Sequence, residues 1–292
     1  VLSAGSLANA ATTNSTINVN VASGATLAVT TAASGNYQIG NAGTGATNGA
    51  VLNLAAGSSF TMANNDSTGT LTINRNAAWV SGAGLIIGNS TVGAATVRMS
   101  FDLGTGANSA DTIVVSDVTT AASNTINVGV SGATVFILPQ SGASSLTAGL
   151  HDLISFKAGG LNLNSQTLAQ AFILATPGVL VNGQGYGLSL VMRDSSNAVI
   201  TNIANIANAV AISVQVAAAT APVDFWCGGT LSNVWTDANW YTSQTGNTLR
   251  SGPVAPGIFD DVKFSTTNPV AGNLSITLGS NQVTGSLSYM SG

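Results

Sequence analysis

Charged side chains are scarce in this sequence. Of its 292 residues only 5% are charged, and there is no Glu at all, whereas about 25% of the residues in an average soluble domain are charged. The six basic residues are scattered along the chain. Nucleic acids and anionic membranes are bound by clustered Lys and Arg, so the sequence argues against both partners.

Cysteine, histidine and long apolar runs are equally scarce. The single Cys227 excludes an internal disulfide framework and a cysteine-rich zinc site, and the single His151 excludes a multi-His metal site. No run approaches the roughly 18–20 apolar residues of a spanning helix, so we expect no membrane insertion by this segment. Residues 1–30 lack a signal-peptide pattern, so either a leader has been removed or the chain belongs to something longer.

Apolar and small polar residues alternate along most of the chain, which is 45% hydrophobic. Segments such as "STINVNV" at 15–21 place Ile and Val at every second position between Gly, Asn, Ser or Asp residues. A period of two with small turn residues predicts short β-strands. The phrases "SGATLAV" and "AGSSFTM" share a turn followed by an apolar pair, which indicates a weak internal repeat.

This pattern fits either a β-sandwich or barrel, or a parallel β-solenoid in which each coil stacks on the last. The direct repetition, the scarcity of hairpin turns and the small or Asn residues available for ladders favour a right-handed parallel β-helix over 1–220. A coil of roughly 20–25 residues would give about nine to eleven coils and a rod of about 45–50 Å with two uncapped ends. Residues 221–292 are predicted to form a small Trp-rich β subdomain.

Two segments interrupt the alternation. Residues 165–175 place Leu168, Ala171 and Phe172 on one side of a possible short helix. Residues 200–216 have Ile at every third position and then turn strand-like. The three-residue spacing is compatible with a helical turn or with a tight coil, and periodicity alone leaves both open.

Aromatic residues are concentrated near the C-terminus. Trp226, Trp235 and Trp240 are three of only four Trp, and Tyr241 follows them. Three interpretations are open: a local core for a small subdomain, an interface between units, or a surface on which glycans stack.

Three phrases follow one another in the C-terminal part: "DFWCGGTLSNVWTDANWY", "APGIFDDVKFS" and "LSITLGSNQVTGSLSYMSG". This arrangement resembles the unit of autotransporter-associated β-strand repeat proteins, and "FDLGTGANSADTIVVSD" at 101–117 is similar to an upstream phrase of the same family. Cys227 departs from the pattern, which usually has a small or polar residue there. The matching positions are Trp226, Gly228, Gly229, Trp235, Asn239, Trp240, Pro256, Gly257, Asp261, Val262, Phe264, Ser286, Leu287 and Tyr289.

The resemblance implies a secreted, repetitive β-helical protein of the bacterial surface or matrix. We therefore expect an extracellular or cell-surface structural protein, with no enzymatic activity, that associates with itself end to end into a fibre, sheath or matrix. Unpaired strand edges at the ends of a solenoid are natural surfaces for such association. The alternative is an adhesin that binds cell-surface glycans or other surfaces through the Trp-rich end, and a polysaccharide-degrading enzyme is a further alternative.

Candidate chemical groups are few. Glycosidases need two convergent carboxylates, but the adjacent Asp260 and Asp261 would point to opposite faces of a strand. Among metal ions and small ligands the residues favour calcium most, because it prefers oxygen donors from Asp and Asn in turns. Asp102, Asp111 and Asp237 could supply these donors, but the same residues also shape turns without any metal. His151 is expected at a coil corner, either hydrogen-bonded or solvated. Cys227 is expected as a buried filler, with intermolecular pairing as the second interpretation.

Overall fold

The described residues form 23 strands and two short helices. The computed structural model describes residues 6–7, 15–29, 36–40, 48–64, 68–75, 83–117, 125–182, 184–218, 223–226, 235, 240–241, 256, 260–265, 276–278, 284 and 286–290. The strands of residues 6–174 are β1 (Ser6–Leu7), β2 (Ser15–Val21), β3 (Thr26–Ala28), β4 (Asn36–Ile39), β5 (Asn48–Leu54), β6 (Ser59–Thr61), β7 (Thr70–Arg75), β8 (Leu85–Ile87), β9 (Val97–Leu103), β10 (Thr112–Asp117), β11 (Ile126–Val128), β12 (Ala133–Pro139), β13 (Gly149–Ser155), β14 (Leu161–Asn162) and β15 (Phe172–Leu174).

The remaining strands are β16 (Gly178–Val181), β17 (Gln184–Arg193), β18 (Val199–Ile200), β19 (Ala211–Ala218), β20 (Val223–Trp226), β21 (Trp240–Tyr241), β22 (Asp261–Ser265) and β23 (Ser286–Met290). Helix α1 spans Leu168–Ala171, and a 3-10 helix spans Ile203–Asn208. No helix among the residues described is long and apolar enough to cross a membrane.

Contacts divide the chain into two compact units. The first comprises residues 1–177 and 188–216, and the second comprises residues 178–187 and 217–292.

The first unit is a parallel β-solenoid, which confirms the fold predicted from the sequence. Strands recur in threes along the chain, and each strand pairs in parallel with the strand three positions later. Sheet one contains β1, β4, β7, β10 and β13; sheet two contains β2, β5, β8, β11 and β14; and sheet three contains β3, β6, β9, β12 and β15. The chain thus makes five coils of three strands each.

The predicted number and length of the coils are wrong. Hydrogen bonds of side chains between successive coils join residues 33 to 44 positions apart, from Asn20 with Asn53 to Asn108 with Asp152. The predicted coil length came from the alternating pattern, which repeats with each strand and its turn. A coil is longer, because three strands must close around the core before the chain returns to its starting sheet. Five coils at strand spacing give a stack of about 20 Å, well short of the predicted rod.

Rows of apolar side chains in register fill the interior of the solenoid. In each row the same inward position recurs one coil later, so that every side chain packs on its equivalents above and below. The row of sheet one contains Tyr37, Leu71, Ile113 and Ile154. The row of sheet two contains Leu52, Leu85, Ile126 and Leu161. The row of sheet three contains Leu27, Phe60, Met99, Val135 and Leu174.

The corner between sheets two and three explains the repeated phrases "SGATLAV" and "AGSSFTM". They hold Gly24 and Gly57, both with positive φ, and the amide of Gly24 donates to the carbonyl of Gly57 at 3.0 Å. At the same corner of a later coil Gly132 has φ +60°, and an added Cβ would lie 2.5 Å from the carbonyl oxygen of Ala171. Glycine therefore recurs where corners stack closely.

Asparagine side chains form the ladders expected between coils, on the strands of sheet two. Asn53 Nδ2 donates to Asn20 Oδ1 at 3.2 Å, and Asn162 Nδ2 donates to Asn127 Oδ1 at 3.3 Å. Ile86 occupies the intervening position in the same register and interrupts the ladder.

The fifth coil is closed in sheet one, so the expectation of two uncapped ends is wrong there. β13 pairs antiparallel with β19, with a bulge between Asp152 and Ile154. Residues 192–193 of β17 pair antiparallel with β18. An antiparallel strand in this position takes the place that the first strand of a sixth coil would occupy. β14 and β15 remain the last strands of sheets two and three within the described residues.

The two irregular segments adopt short helices followed by strands. Thr167 caps α1 in a capping box with Gln170, and the chain enters β15 directly afterwards. Asn202 caps the 3-10 helix, which is followed by β19.

The second unit contains a small β-sheet with a Trp core, as predicted for the C-terminal region. Its strand order is β21-β20-β22-β23, in which β20, β22 and β23 are parallel and β21 is antiparallel. β16 and residues 184–187 of β17 form an antiparallel hairpin in the same unit.

We expect Ile73→Ala to lower the free energy of unfolding by about 2–5 kcal/mol, because Ile73 is fully buried between coils and its truncation leaves a cavity. The neighbouring Thr72→Ala, on the outward face of the same strand, should change it by less than about 1 kcal/mol. Urea denaturation followed by circular dichroism measures both. Equal losses for the two variants would contradict the assignment of the core rows.

Candidate functional site

The Trp cluster lies inside the second unit. Trp226, Trp235 and Trp240 are 0–3% exposed and pack around Val262, with Phe264 and Ile276 against them. The ring centroids of Trp235 and Trp240 are 4.7 Å apart, and Trp240 Nε1 donates to the Trp235 carbonyl at 2.8 Å.

Tyr241 is also buried. A sugar-stacking surface needs exposed ring faces, so this arrangement favours the local-core interpretation of all four aromatic residues. Cys227 lies outside the residues that the structure describes.

Asp102 and Asp111 lie together at the corner between β9 and β10, and both are fully buried. Asp111 Oδ1 accepts the amide of Gly69 at 2.8 Å, and its Oδ2 accepts the amide of Asp102 at 2.7 Å. Asp102 Oδ2 accepts the amide of Asn64 at 2.7 Å. The two carboxylates therefore hold the corner of one coil against the corner of the coil below.

This donor set does not fit calcium. Ca²⁺ takes six to eight oxygen ligands, but backbone N–H donors already point at both carboxylate oxygens of Asp111. The described residues contain no group of three or more His, Cys, Asp or Glu that could hold a metal ion. Asp237, the third proposed calcium ligand, lies outside the described residues. The geometry favours turn-shaping roles for Asp102 and Asp111.

Burial raises the pKa of Asp111 to about 7. The two backbone amides act in the opposite direction, and the negative charge of Asp102 adds to the increase. Desolvation is the largest effect because no positive charge compensates this carboxylate.

His151 and Asp152 join the corner of the fourth coil to the fifth coil. His151 is fully buried and hydrogen-bonded, which is the first of the two alternatives expected for it. Its Nδ1 accepts the amide of Ser109 at 3.1 Å, and its Nε2 lies 2.8 Å from the carbonyl of Thr147. The tautomer with its proton on Nε2 satisfies both contacts. The amide of Asp152 donates to Asn108 Oδ1 at 2.9 Å.

Asp152 also forms a partly buried ion pair with Arg193. The pair holds the antiparallel strands β17 and β19, which form the cap of the fifth coil, against β13. Arg193 Nε donates to Asp152 Oδ1 at 2.7 Å, and Arg193 Nη2 bonds Asp152 Oδ2. Ser213 Oγ donates to the same Oδ1 at 2.7 Å. The three residues belong to β13, β17 and β19. Burial alone would raise the pKa of Asp152, but the hydrogen bonds and charge of Arg193, together with Ser213, hold it below its usual value.

This ion pair is absent from the sequence-based expectations. Asp152 and Arg193 are 41 residues apart and belong to no common motif. The scarcity of charge is the one signal in the sequence that points to this pair. The chain has six basic residues, and one that leaves water on folding needs a specific acidic partner.

An open apolar groove of about 980 Å³ lies in the first unit, beside the fifth coil. One side is formed by α1 and β15, and the other by β17, β18 and the start of the 3-10 helix. No charged side chain occurs among the described residues that line it. Its apolar residues include Phe172, Ile173, Leu188, Met192, Val199 and Ile203.

Comparison with known proteins identifies no relative of this chain: no family model matches it, and neither a curated protein nor a solved structure is similar to it. The resemblance to autotransporter-associated repeats therefore stays a prediction from the quoted residues.

We expect Arg193→Met to lower the free energy of unfolding by about 3–5 kcal/mol, because it leaves the carboxylate of Asp152 buried without its cation. The double variant Asp152→Asn with Arg193→Met removes both charges and should be less destabilised than the single variant. Urea denaturation at neutral pH measures both. A double variant as unstable as Arg193→Met would show that the unpaired charge is not the cause.

Asp111 should make stability fall as the pH rises from about 4 to about 7. Its pKa is about 7 in the folded chain against 3.8 for the free side chain, so the folded state holds the proton over this interval. Over this interval the free energy of unfolding should fall by at most about 4 kcal/mol because of Asp111. Asp152 affects stability in a separate pH range. Its pKa is lowered in the folded chain, so its stabilising contribution to folding is lost as the pH falls below about 3.8.

The variant Asp111→Asn cannot ionise and should show a flatter dependence between pH 4 and pH 7. Its absolute stability at pH 4 should be lower, since the amide group retains only one acceptor for the two backbone amides. Urea titrations at pH 4, 5.5 and 7 give the two slopes. Parallel slopes for the wild type and the variant would exclude Asp111 as their origin.

Proposed function

We propose that this chain is a non-enzymatic extracellular structural protein, a β-solenoid building block of a bacterial surface fibre, sheath or matrix that associates with itself head to tail. The observation that carries this proposal is the presence of open parallel strand edges in both units. Within the described residues of the first unit, β1, β2 and β3 are end strands of their sheets. Within those of the second unit, β23 is an end strand.

Open strand edges are strong association surfaces because their backbone N–H and C=O groups can pair with another chain. Proteins that avoid such pairing place charged side chains or Pro on their edge strands. Here β1, β2, β3 and β23 contain neither a charged residue nor a Pro. Two of the usual devices against edge pairing, charged side chains and Pro, are therefore missing from these four strands, although β1 and β3 are short.

The burial of the polar side chains supports a structural role over catalysis. Asp102 and Asp111 bind backbone amides, Asp152 binds Arg193 and Ser213, and His151 binds backbone groups of the adjacent corner. Each of these contacts joins one coil or cap strand to the next. Groups committed in this way stabilise the stack and are poorly placed to bind a substrate.

The composition supports an extracellular location. With six Lys and Arg in 292 residues, the chain offers few cleavage points to trypsin-like proteases. A single Cys and the absence of Glu are compatible with a long-lived polymer built from apolar and small polar residues.

We expect the purified chain to form oligomers that grow with concentration, and electron microscopy to show filaments with a repeat near one chain length. Assembly should depend only weakly on salt, because the open edges offer backbone and apolar contacts and few charges. Sedimentation velocity over a concentration series at low and high salt measures both properties. A chain that stays monomeric at the highest attainable concentration would contradict the proposal.

A further inference from the structure

The edge strand β23 has the sequence of a strand from inside the solenoid. Residues 284–289 read Thr-Gly-Ser-Leu-Ser-Tyr, and residues 68–73, which lead into and form most of β7, read Thr-Gly-Thr-Leu-Thr-Ile. Three positions are identical, two exchange Ser for Thr, and the last is a large apolar or aromatic residue in both. By this alignment Leu287 corresponds to Leu71, and Tyr289 corresponds to Ile73.

The two strands differ in what covers them. In β7, Leu71 and Ile73 are fully buried, because β4 lies in register on one side and β10 on the other. In β23, Leu287 pairs with Val262 and Tyr289 pairs with Phe264 of β22, which lies on one side only. Leu287 is 61% exposed and Tyr289 is 66% exposed. β23 thus has the inward positions of a coil strand, but within the described residues no next strand of the stack covers them.

We propose that β23 pairs in parallel with β1 of a second copy of this chain, so that sheet one of that copy continues the β20-β22-β23 stack. This inference rests on the proposed head-to-tail function and names the strands that form the contact. β7 belongs to sheet one, so the motif specifies a sheet-one strand as the missing neighbour. Within the described residues β1 is an end strand of that sheet, whereas β13 at the other end is covered by β19.

The register of the contact follows from the rows of sheet one. Ser6 pairs with Gln38, which pairs with Thr72, and Leu7 continues the row of Ile39 and Ile73. Since Ser288 and Tyr289 correspond to Thr72 and Ile73, Ser288 lies beside Ser6 of the second copy and Tyr289 lies beside its Leu7. A contact between β23 of one copy and β1 of the next is heterologous, so its repetition adds copies one after another and gives a filament unless the rotation closes a ring.

Crosslinking between two single-cysteine variants tests the register. In a Cys227→Ser background, Ser288→Cys and Ser6→Cys are prepared separately, one with a mass tag, and mixed under mild oxidation. Neighbouring residues of parallel strands are about 4.8 Å apart, within the Cα–Cα range of a disulfide. We expect the mixed disulfide dimer to exceed either homodimer. Separate variants make the bond necessarily intermolecular, and Val92→Cys, at an 86% exposed turn position, is the control in place of Ser6→Cys.

Charge insertion tests the apolar part of the contact. Leu287→Lys places a cation on the face of β23 that also carries Tyr289, one position before the Ser288–Ser6 pair, and we expect it to weaken assembly about 10- to 100-fold in sedimentation velocity. Leu287 is exposed in the single chain, so thermal unfolding of the dilute monomer should be unchanged. Val92→Lys is the matched control and should assemble like the wild type.

The outcomes separate this inference from the function on which it rests. Selective crosslinking between positions 288 and 6, together with loss of assembly in Leu287→Lys alone, supports the contact. Normal assembly of Leu287→Lys without selective crosslinking overturns the contact but leaves head-to-tail association standing. A wild-type chain that stays monomeric overturns both.

Discussion

The in-register stacking of apolar side chains between coils is the constraint on which this structure depends. Each inward residue of the solenoid packs on its equivalents in the coils above and below, as in the row from Tyr37 to Ile154. A coil on its own buries little apolar area, so it gains stability only from its neighbours. The same dependence leaves the outermost strands with unsatisfied backbone groups and makes the ends of the stack the reactive parts of the molecule.

Polar groups serve this stacking at the corners, where apolar rows cannot reach. Asp111 binds the amide of Gly69 one coil below, and His151 and Asp152 bind the corner at Asn108 and Ser109. The ion pair of Asp152 with Arg193 then attaches the antiparallel cap to the fifth coil. Residues that suggest metal binding or catalysis in the sequence thus join one coil to the next. The strand edges are therefore the better candidates for the functional surface.

The fold class could be predicted because strand periodicity is local. Alternating residues such as Ile17, Val19 and Val21 specify a strand wherever it lies, and a chain of such strands with small turns specifies stacked β-structure. The concentration of Trp also indicates a small core, since large side chains are needed where little area can be buried. The number of strands per coil could not be predicted, because it depends on how three sheets close around one interior.

The sequence by itself determined the strands, the scarcity of charge and the place where the aromatic residues concentrate, whereas the structure showed that the Trp side chains form a buried core. Only the tertiary structure decided that Asp102 and Asp111 bind amides rather than form a calcium site, that Asp152 meets Arg193, and that β19 closes sheet one of the fifth coil. It also showed that Leu287 and Tyr289 are exposed although Leu71 and Ile73, in the same motif, are buried. The physical reason is that the first outcomes depend on contacts between residues some forty positions apart in the chain, and the last depends on which neighbour covers a strand. Local periodicity encodes neither the distant contacts nor the neighbour.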